Sequence, residues 1–460
     1  MAENSAFTLE ERLDFAKEAA EKIAESGGRA YFVGGFVRDR VMGVLPGLSP
    51  DIDIEVHGLE PQKLVSLLEE RVPLKKTGVS FGIYSVPGYG IDVAMPRTEH
   101  ATGRGHRDFE TFVDPYLGPK KAAERRDFTV NALMEDVLTG EILDFYGGRR
   151  DIENKILRHV SDASFAEDPL RVLRAAQFSA RLGFEVDEKT AGLCASIPLD
   201  SLSSERVGGE MKKALTMSAH PSVFFEFLRK TGQLELWFPE VLALIGVEQN
   251  PAFHPEGDVW THTMMVLDAA AGLRDRAKQP YPFMLSALCH DFGKPETTKI
   301  KNGVIHSYGH EPAGLGPASR FLSRLCGDKK VAQYVKNMVL LHMKPNVMAF
   351  AGASVKSTNK MFDDSVEPED LLLLAEADSL GIKKSGDYVD LNPWLYDRLA
   401  IYREYTSRPT VTGSDLVAAG YEPGPDFTEI LAFARKLLLA GIPYESALKQ
   451  TLAYARKLRK

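Results

Sequence analysis

Two aspartates separated by one residue, Asp51 and Asp53, have the residue type and spacing for metal-assisted catalysis. On a β-strand, side chains two positions apart project from the same face. Two neighbouring carboxylates repel each other, and a divalent cation such as Mg²⁺ removes that repulsion. Asp92, in a second strand-like segment, is placed to complete the set. The three residues predict a catalytic site for phosphoryl transfer; a solvated turn after Pro50 is the alternative for the first two.

A pair of glycines upstream predicts contact with phosphate groups. A strand-like segment runs into Gly34 and Gly35 and then into a helix-like stretch that contains Arg38. Glycines let backbone N–H groups approach phosphates closely, and a helix N-terminus favours anions. A plain tight turn is the alternative interpretation.

The run Arg125-Arg126-Asp127-Phe128-Thr129-Val130-Asn131-Ala132 predicts nucleotide binding. Two arginines can hold a triphosphate as bidentate forks. Asp127 and Asn131 are four residues apart, so on a helix they share a face and can contact ribose hydroxyls. The alternative is a charged helix start with Asp127 as its N-cap.

A further motif, from Glu167 to Arg174, has groups that can read a nucleobase. Asp168 and Arg171 are three residues apart and can place one acceptor beside one donor fork. Cytosine and adenine both present an amino donor next to a ring-nitrogen acceptor, so such a pair would accept CTP and ATP and reject UTP and GTP. The ordinary explanation is that Asp168 caps a helix beginning at Pro169.

In this order, the motifs resemble those of the class II CCA-adding tRNA nucleotidyltransferases and the related bacterial poly(A) polymerases, over roughly residues 28 to 235. The resemblance implies a head of the nucleotidyltransferase (polymerase β-like) fold, CTP and ATP as substrates, tRNA as partner, and Mg²⁺ held by Asp51 and Asp53. The residues implied to bind the nucleotide are Gly34, Gly35, Arg38, Arg125, Asp127, Asn131 and Arg174, with Glu167, Asp168 and Arg171 as the protein template. Complete CCA addition, addition of A alone and poly(A) synthesis remain open alternatives.

Two further segments bear on that resemblance. The Gly-rich basic stretch from Arg97 to Arg107 is interpreted as a mobile loop, with an ordinary surface loop as the alternative. In the family such a loop is associated with the change from C to A addition, and its full length here favours complete CCA or terminal A addition. The stretch from Met42 to Pro50 looks longer than the compact family version.

Histidines and aspartates in apolar helical contexts of the second half predict a metal site. In chain order they are His262, His290, Asp291, His310, His342 and Asp378. One such histidine would usually be a core residue, but six such positions in this order indicate ligands for Ni, Mn, Fe, Co or Zn, with Mg²⁺ as an alternative.

This order resembles the HD phosphohydrolase superfamily over about residues 250 to 385. The central doublet is His290-Asp291, and Gly293 and Lys294 follow it. In HD-bearing members of the CCA-adding family this domain is associated with phosphatase and 2′,3′-cyclic phosphodiesterase activity. An HD metallophosphatase whose head only holds RNA is the alternative from another functional class.

The elements that must position these residues predict an α+β protein. An amphipathic helix over residues 9 to 26 precedes strands at Ala30 to Val33, Ile52 to Val56, Gly82 to Val86 and Ile91 to Ala94, and nearly everything after Ala163 has a helical pattern. We predict a mixed-sheet head (1–155), then all-helical neck (156–222), HD (223–385) and tail (386–460) domains.

Composition and charge bear on the cellular compartment of this protein and on its partners. Its net charge of −8 argues against nucleic acid, but residues 435 to 460 contain seven basic side chains and one acidic one, a local patch that can bind RNA. The three cysteines are scattered, and the first nine residues lack the pattern of a secretion signal. No stretch approaches the roughly 18 apolar residues that span a bilayer. We therefore predict a cytoplasmic protein without membrane contact, a monomer or homodimer.

Overall fold

The computed structural model describes residues 7–44, 51–78, 82–101, 109–382 and 391–459. By internal contacts the chain divides into two compact units. Unit 1 comprises Met1–Met211 and Val223–Leu236, and unit 2 comprises Lys212–Ser222 and Trp237–Lys460. The finer division into four domains stays a prediction.

Unit 1 begins with the mixed α/β part. Its strands are β1 (Arg29–Val33), β2 (Ile52–His57), β3 (Lys75–Gly78), β4 (Ile83–Val86), β5 (Ile91–Ala94), β6 (Arg97–Ala101), β7 (Phe109–Val113), β8 (Met134–Asp136), β9 (Ile142–Leu143), β10 (Ile156–Leu157) and β11 (Glu185–Val186). The helices up to residue 196 are α1 (Leu9–Glu25), α2 (Gly35–Val41), α3 (Pro61–Glu69), α4 (Pro119–Glu124), α5 (Gly148–Glu153), α6 (Asp162–Glu167), α7 (Leu170–Leu182) and α8 (Glu188–Ser196). The chain passes from one unit to the other within α9 (Ser204–Met217), within α10 (Ser222–Lys230) and again after Leu236.

Among the described residues, seven strands of unit 1 form one sheet in the order β3-β4-β5-β2-β1-β8-β9. The pairing of β2 with β5 is parallel, whereas the other pairs in this sheet are antiparallel. On β2, Ile52, Ile54 and Val56 enter the hydrophobic core that also contains Phe15 and Ile23 of α1. The period of two therefore places Asp53 and Glu55 on the opposite face.

The predicted first helix is confirmed. Thr8 and Glu11 form a capping box at its start, and Gly27, with φ of +86°, follows its end. The four predicted strands are confirmed within a residue or two of their ends. The segment interpreted as a loop from Arg97 differs, because Arg97–Ala101 pairs with Phe109–Val113 as a hairpin. The rest of that segment and residues 45–50 of the long stretch after Met42 lie outside the described residues.

Unit 2 is helical apart from one hairpin in its described part. Its helices after α10 are α11 (Pro239–Leu242), α12 (Val259–Leu273), α13 (Pro280–Cys289), α14 (Lys294–Thr297), α15 (His310–Ala313), α16 (Leu315–Leu325), α17 (Lys329–Leu341), α18 (Met343–Phe350), α19 (Val355–Asp364), α20 (Pro368–Leu380), α21 (Asn392–Ser407), α22 (Gly413–Ala418), α23 (Asp426–Leu439) and α24 (Tyr444–Leu458). The hairpin consists of β12 (Lys299–Lys301) and β13 (Val304–His306).

The α+β class is confirmed, and the part of the chain after the head is mostly helical. It is not wholly helical as predicted, because β10 pairs with β11 and β12 pairs with β13. Within the described residues the cysteines, Cys194, Cys289 and Cys326, are free thiols. No helix among those residues has the length and apolar character needed to cross a bilayer.

Candidate active sites

The parallel pairing of β2 and β5 brings two of the predicted carboxylates together. Asp53 and Asp92 are register partners on these neighbouring strands, and Asp51 lies immediately before β2. Partial dehydration raises the pKa of Asp53, and the charge of Arg126 opposes that shift. The carboxylates of Asp92 and Asp51 raise it further. This clustering of acidic oxygens on one face suits a hard cation such as Mg²⁺.

Gly34 lies against these carboxylates at the turn between β1 and α2. Its φ is +70°, and a Cβ atom there would lie 3.5 Å from Asp53 Oδ2 and 3.5 Å from Arg126 Nη1. The backbone conformation therefore favours glycine, whereas the two contacts are ordinary van der Waals distances. Gly35 is the first residue of α2, and its own Cβ would face the guanidinium of Arg38 at 3.5 Å.

The buried residue Glu55, which the sequence reasoning missed, contacts both arginines of the arginine motif. Glu55, 1% exposed, lies 3.2 Å from Arg126 Nη2 and 3.7 Å from Arg125 Nη2 through its Oε2 atom. Its Oε1 atom lies 3.0 Å from His57 Nε2. Burial alone would raise the pKa of Glu55, but the hydrogen bond with His57 and the arginine charges lower it to about 2. Glu55 therefore carries a charge that orients both arginines.

We expect Glu55→Gln to lower the free energy of unfolding by about 1–3 kcal/mol, because two partly exposed arginines lose a charged partner. The same loss should raise KM for a nucleoside triphosphate roughly threefold to tenfold with a smaller change in kcat. Urea denaturation and steady-state kinetics measure the two effects, with the exposed Glu141→Gln as control. An unchanged KM would contradict the positioning role.

The other predicted nucleotide contacts form a connected chain of side chains. Buried Arg38 donates from Nη1 to Asn131 Oδ1 at 2.7 Å, and Asn131 Nδ2 donates to Asp127 Oδ1 at 3.1 Å. Arg174 Nε donates to Asp127 Oδ2 at 2.7 Å. Burial would raise the pKa of Asp127, but Arg174 and Asn131 lower it below its ordinary value. These hydrogen-bonded side chains connect α2, the arginine motif and α7.

Asp127 and Asn131 meet, but not on an α-helix as the four-residue spacing predicted. Helix α4 ends at Glu124, and Thr129–Asn131 is a 3-10 turn. Asp127 does not cap an α-helix either, because its Oδ1 atom accepts from Phe128 N at 2.8 Å.

The predicted base-reading residues are arranged differently from the expectation. Asp168 accepts from Leu170 N at 3.1 Å, but it is not the predicted N-cap, because α7 begins at Leu170 and Pro169 is its N-cap residue. The Oδ2 atom of Asp168 lies 2.8 Å from Arg206 Nη2. Arg171 donates instead to the carbonyl oxygens of Ser164 and Arg125, at 2.9 and 2.6 Å. The guanidinium beside Asp168 is therefore that of Arg206, which the sequence reasoning missed. Glu167 ends α6, just before this group.

The predicted metal ligands of unit 2 converge around Asp291. The side chains of these residues are 13% exposed or less: His262, His290, Asp291, His310, His342 and Asp378. His262 lies on α12 and Asp378 on α20, whereas His290 and Asp291 follow α13. His310 begins α15, and His342 lies between α17 and α18.

Each carboxylate oxygen of Asp291 faces a different group of imidazoles. Its Oδ2 atom lies 3.2 Å from His290 Nε2 and 3.8 Å from His262 Nε2. Its Oδ1 atom lies 3.5 Å from His310 Nε2 and 3.9 Å from His342 Nε2. Asp378 Oδ1 completes the first group, 3.0 Å from His262 Nε2. Within the described chain, these atoms make two adjacent donor sets that share one carboxylate.

The backbone sets the orientation of three of these rings. In His290, His310 and His342 the Nδ1 atom donates to the carbonyl of the residue three positions earlier, at 2.8, 2.8 and 2.7 Å. The Nε2 atoms therefore face Asp291, in the orientation in which an imidazole can bind a metal through Nε2. Burial and then the charge of His290 lower the pKa of His342 to about 3, which keeps its ring neutral.

Further buried groups support the cluster. Glu256 Oε1 lies 2.9 Å from His262 Nδ1 and 2.8 Å from His254 Nδ1. Lys294 Nζ lies 2.6 Å from Asp291 Oδ2 and 2.7 Å from Gln249 Oε1. The sequence reasoning did not identify Glu256, His254 or Gln249.

Gly293, which follows the His290-Asp291 doublet, allows two chain segments to pack closely. A Cβ on Gly293 would lie 2.0 Å from the carbonyl oxygen of His310 and 2.6 Å from Gly314 N. Only glycine lets the segment after Asp291 approach the start of α15, and this contact brings His310 to the cluster.

The donor set fits a transition metal. Buried imidazoles together with carboxylates match Ni, Mn, Fe, Co or Zn. Among the described residues neither oxygen of Asp291 has a hydrogen bond of ordinary geometry. Burial would raise the pKa of Asp291, but His290 and Lys294 hold it well below its ordinary value, so the carboxylate is charged. Such a group at the centre of four imidazoles is suited to bridging cations.

Comparisons with known proteins identify the family of the chain. The family model described as the poly A polymerase head domain matches residues 30–158. A multifunctional CCA protein from Pasteurella multocida is 35% identical over 411 residues, covering 86% of this chain and 92% of the relative. One from Xanthomonas campestris pv. campestris is 36% identical over 437 residues, covering 92% and 100%.

Solved structures show the same fold. The CCA-adding enzyme of Bacillus stearothermophilus in complex with CTP aligns with a TM-score of 0.67 at 22% identity, covering 97% of this chain and 98% of that one. The Thermotoga maritima CCA-adding enzyme with tRNA aligns at 0.62 and 18% identity, covering 98% and 99%. From the length and identity of the sequence matches, the chain belongs to the family of multifunctional CCA proteins and is a nucleotidyltransferase.

Proposed function

We propose that this protein adds CCA to the 3′ end of tRNA, with CTP and ATP as donors and no nucleic-acid template. The observation that carries the proposal is the register pairing of Asp53 with Asp92, beside Gly34 and Arg126. Relatives of this length are named multifunctional CCA proteins, and solved structures of similar fold contain CTP, ATP or tRNA. These substrates and the scattered cysteines favour the cytoplasm.

In the proposed reaction the 3′-hydroxyl oxygen of the tRNA forms a bond to the α-phosphorus of the nucleotide. The bond from that phosphorus to the bridging oxygen breaks, and pyrophosphate leaves. Asp51 and Asp53 would hold Mg²⁺, which supplies charge stabilisation for the attacking and leaving oxygens. Asp92 is placed to accept the hydroxyl proton, with solvent as the other acceptor. Arg125 and Arg126, oriented by Glu55, would bind the triphosphate.

For choice of base, we propose that Asp168 accepts the amino group shared by cytosine and adenine. Its neighbour Arg206 is within 2.8 Å and can donate to the adjacent ring nitrogen. Arg171 would support the pocket from behind, since it is bonded to two backbone carbonyls. Glu167, Asp127, Asn131, Arg38 and Arg174 would complete the nucleotide site.

We also propose that unit 2 hydrolyses phosphate esters at 2′ or 3′ ends. Asp291 and the five ligands around it would hold transition-metal ions, which supply Lewis acidity and lower the pKa of water. Water would add to phosphorus while a P–O ester bond breaks, and the released oxygen would take a proton. The supporting observation is the shared Asp291 carboxylate between two donor sets.

Transcripts of tRNA ending at the discriminator base, at C and at CC test the first activity. Each is incubated with CTP, ATP or both in Mg²⁺, and the 3′ ends are sequenced. We expect all three to be completed to CCA and then to stop. A single A added only to the CC transcript would make the protein an A-adding enzyme, and long A tails would make it a poly(A) polymerase. No incorporation would contradict the proposal for unit 1.

A further inference from the structure

A small hairpin carries an aromatic and basic face directly before the metal ligand His310. In the register of β12 and β13, Lys299 is the partner of His306. Tyr308 lies in the turn just beyond β13, and its ring stacks on that of His306, which places it on the same face. Lys299, His306 and Tyr308 therefore form one surface, which we call the hairpin face.

The aromatic rings of the hairpin face are stacked but open on one side. The centroids of His306 and Tyr308 are 4.8 Å apart, with an interplanar angle of 15°. Tyr308 is nevertheless 81% exposed. One face of its ring is thus supported by an imidazole, whereas the rest of the ring is open to solvent. An exposed, pre-oriented ring of this kind is a platform for another flat group.

Ser307 connects the hairpin face to His310 of the candidate metal site. The hydroxyl groups of Ser307 and Thr298 are hydrogen-bonded at 2.8 Å, which joins the two ends of the hairpin. The carbonyl of the same serine accepts from His310 Nδ1 at 2.8 Å. Gly309, with φ of +77°, turns the chain from Tyr308 into α15. The ring is therefore two residues from a ligand that its own segment orients.

We propose that Tyr308 is a nucleobase-stacking subsite of the metal site in unit 2, with Lys299 contacting phosphate on the same face. The inference rests on the proposed phosphohydrolase activity and adds the residue that would hold the base of its substrate. The substrate is a nucleotide or the end of an RNA strand, with its base on Tyr308 and its 2′ or 3′ phosphate towards Asp291. An ester without a base would lack this contact.

Kinetics of the full-length, metal-loaded protein test the subsite on two substrates. Adenosine 2′,3′-cyclic phosphate carries a base, whereas glycerol 1,2-cyclic phosphate has a similar ring without one. We expect Tyr308→Ala to lower kcat/KM for the nucleotide between about fivefold and a hundredfold, because base stacking is lost. The base-free ester should change less than about twofold, and Tyr308→Phe should retain the activity because it retains the ring.

The matched control is Phe350→Ala, which removes an exposed aromatic ring, 89% exposed, at the end of α18. It should leave both rates unchanged. An equal loss on both substrates in Tyr308→Ala would overturn the subsite, since it would indicate damage to the metal ligands.

A second readout separates the subsite from the hydrolase proposal. 8-Azidoadenosine 2′-monophosphate is irradiated with the protein, and the labelled peptides are identified by mass spectrometry. Label on the segment 299–308 that disappears in Tyr308→Ala supports the subsite even if the wild type hydrolyses neither ester, a result that would overturn only the hydrolase proposal. Label that is absent from this segment, or that persists in Tyr308→Ala, would overturn the subsite.

Discussion

The Asp53→Asn variant is expected to lose nucleotide addition by at least about a thousandfold, because a neutral amide cannot hold the cation beside the reacting phosphate. Its fold should survive. Burial and the charges of Asp92 and Asp51 raise the pKa of Asp53, so neutralising this carboxylate relieves repulsion in metal-free buffer. We therefore expect an unfolding temperature in EDTA that is equal to or above that of the wild type. Incorporation of labelled CTP and thermal unfolding measure the two effects.

The control for this variant is Asp14→Asn, which changes an exposed carboxylate on α1. It should keep full activity. Phosphate-ester hydrolysis by unit 2 should be unaffected in both variants. If Asp53→Asn retained more than a tenth of wild-type addition, these aspartates would not be the metal ligands of the reaction.

For unit 2, the largest effect is expected from Asp291→Asn. This side chain belongs to both donor sets, so its loss should lower metal affinity by more than about a hundredfold and hydrolysis by at least about a thousandfold. Metal content after dialysis, measured by mass spectrometry, gives a readout that is independent of activity. CCA addition should continue at the wild-type rate.

Stability must be separated from ligand loss in this variant. Removing Asp291 leaves the buried Lys294 without its carboxylate partner, a change that costs about 3–5 kcal/mol. The double variant Asp291→Asn/Lys294→Met removes both charges and should recover much of that stability without recovering metal or hydrolysis. The exposed Asp275→Asn is the matched control. Metal content at the wild-type level in folded Asp291→Asn would contradict the shared-carboxylate arrangement.

The sequence predicted elements well where one physical pattern dominates. On β2 the alternation of Ile52, Ile54 and Val56 with polar residues indicates a strand with one buried face, and the structure confirms it. Strand β3 (Lys75–Gly78) has no such alternation and was missed. The parallel pairing of β2 with β5 could not be predicted either, because it depends on how the intervening chain crosses the sheet.

Some site residues could be predicted from the sequence, and others could not. Order and residue type pointed to Asp291 and its histidines, and the structure brings all six proposed ligands together. Glu55 was missed although it follows Asp53 by two positions, because a single glutamate in a strand resembles a solvated residue until its arginine partners are known. Arg206 left no local signal, since its contact with Asp168 spans 38 residues.

The hydrogen bonds from three of the ligand histidines to backbone carbonyl groups indicate that these rings are oriented before a metal ion binds. Each bond closes over three residues, so it forms when its own chain segment turns, whereas the contact of His262 with Asp378 spans 116 residues. Fixing a side chain costs up to about 2 kcal/mol of conformational entropy. Here the rings lose that freedom during folding, before any ion binds. A metal ion therefore meets a rigid donor set, and little of its binding energy is consumed in ordering the protein.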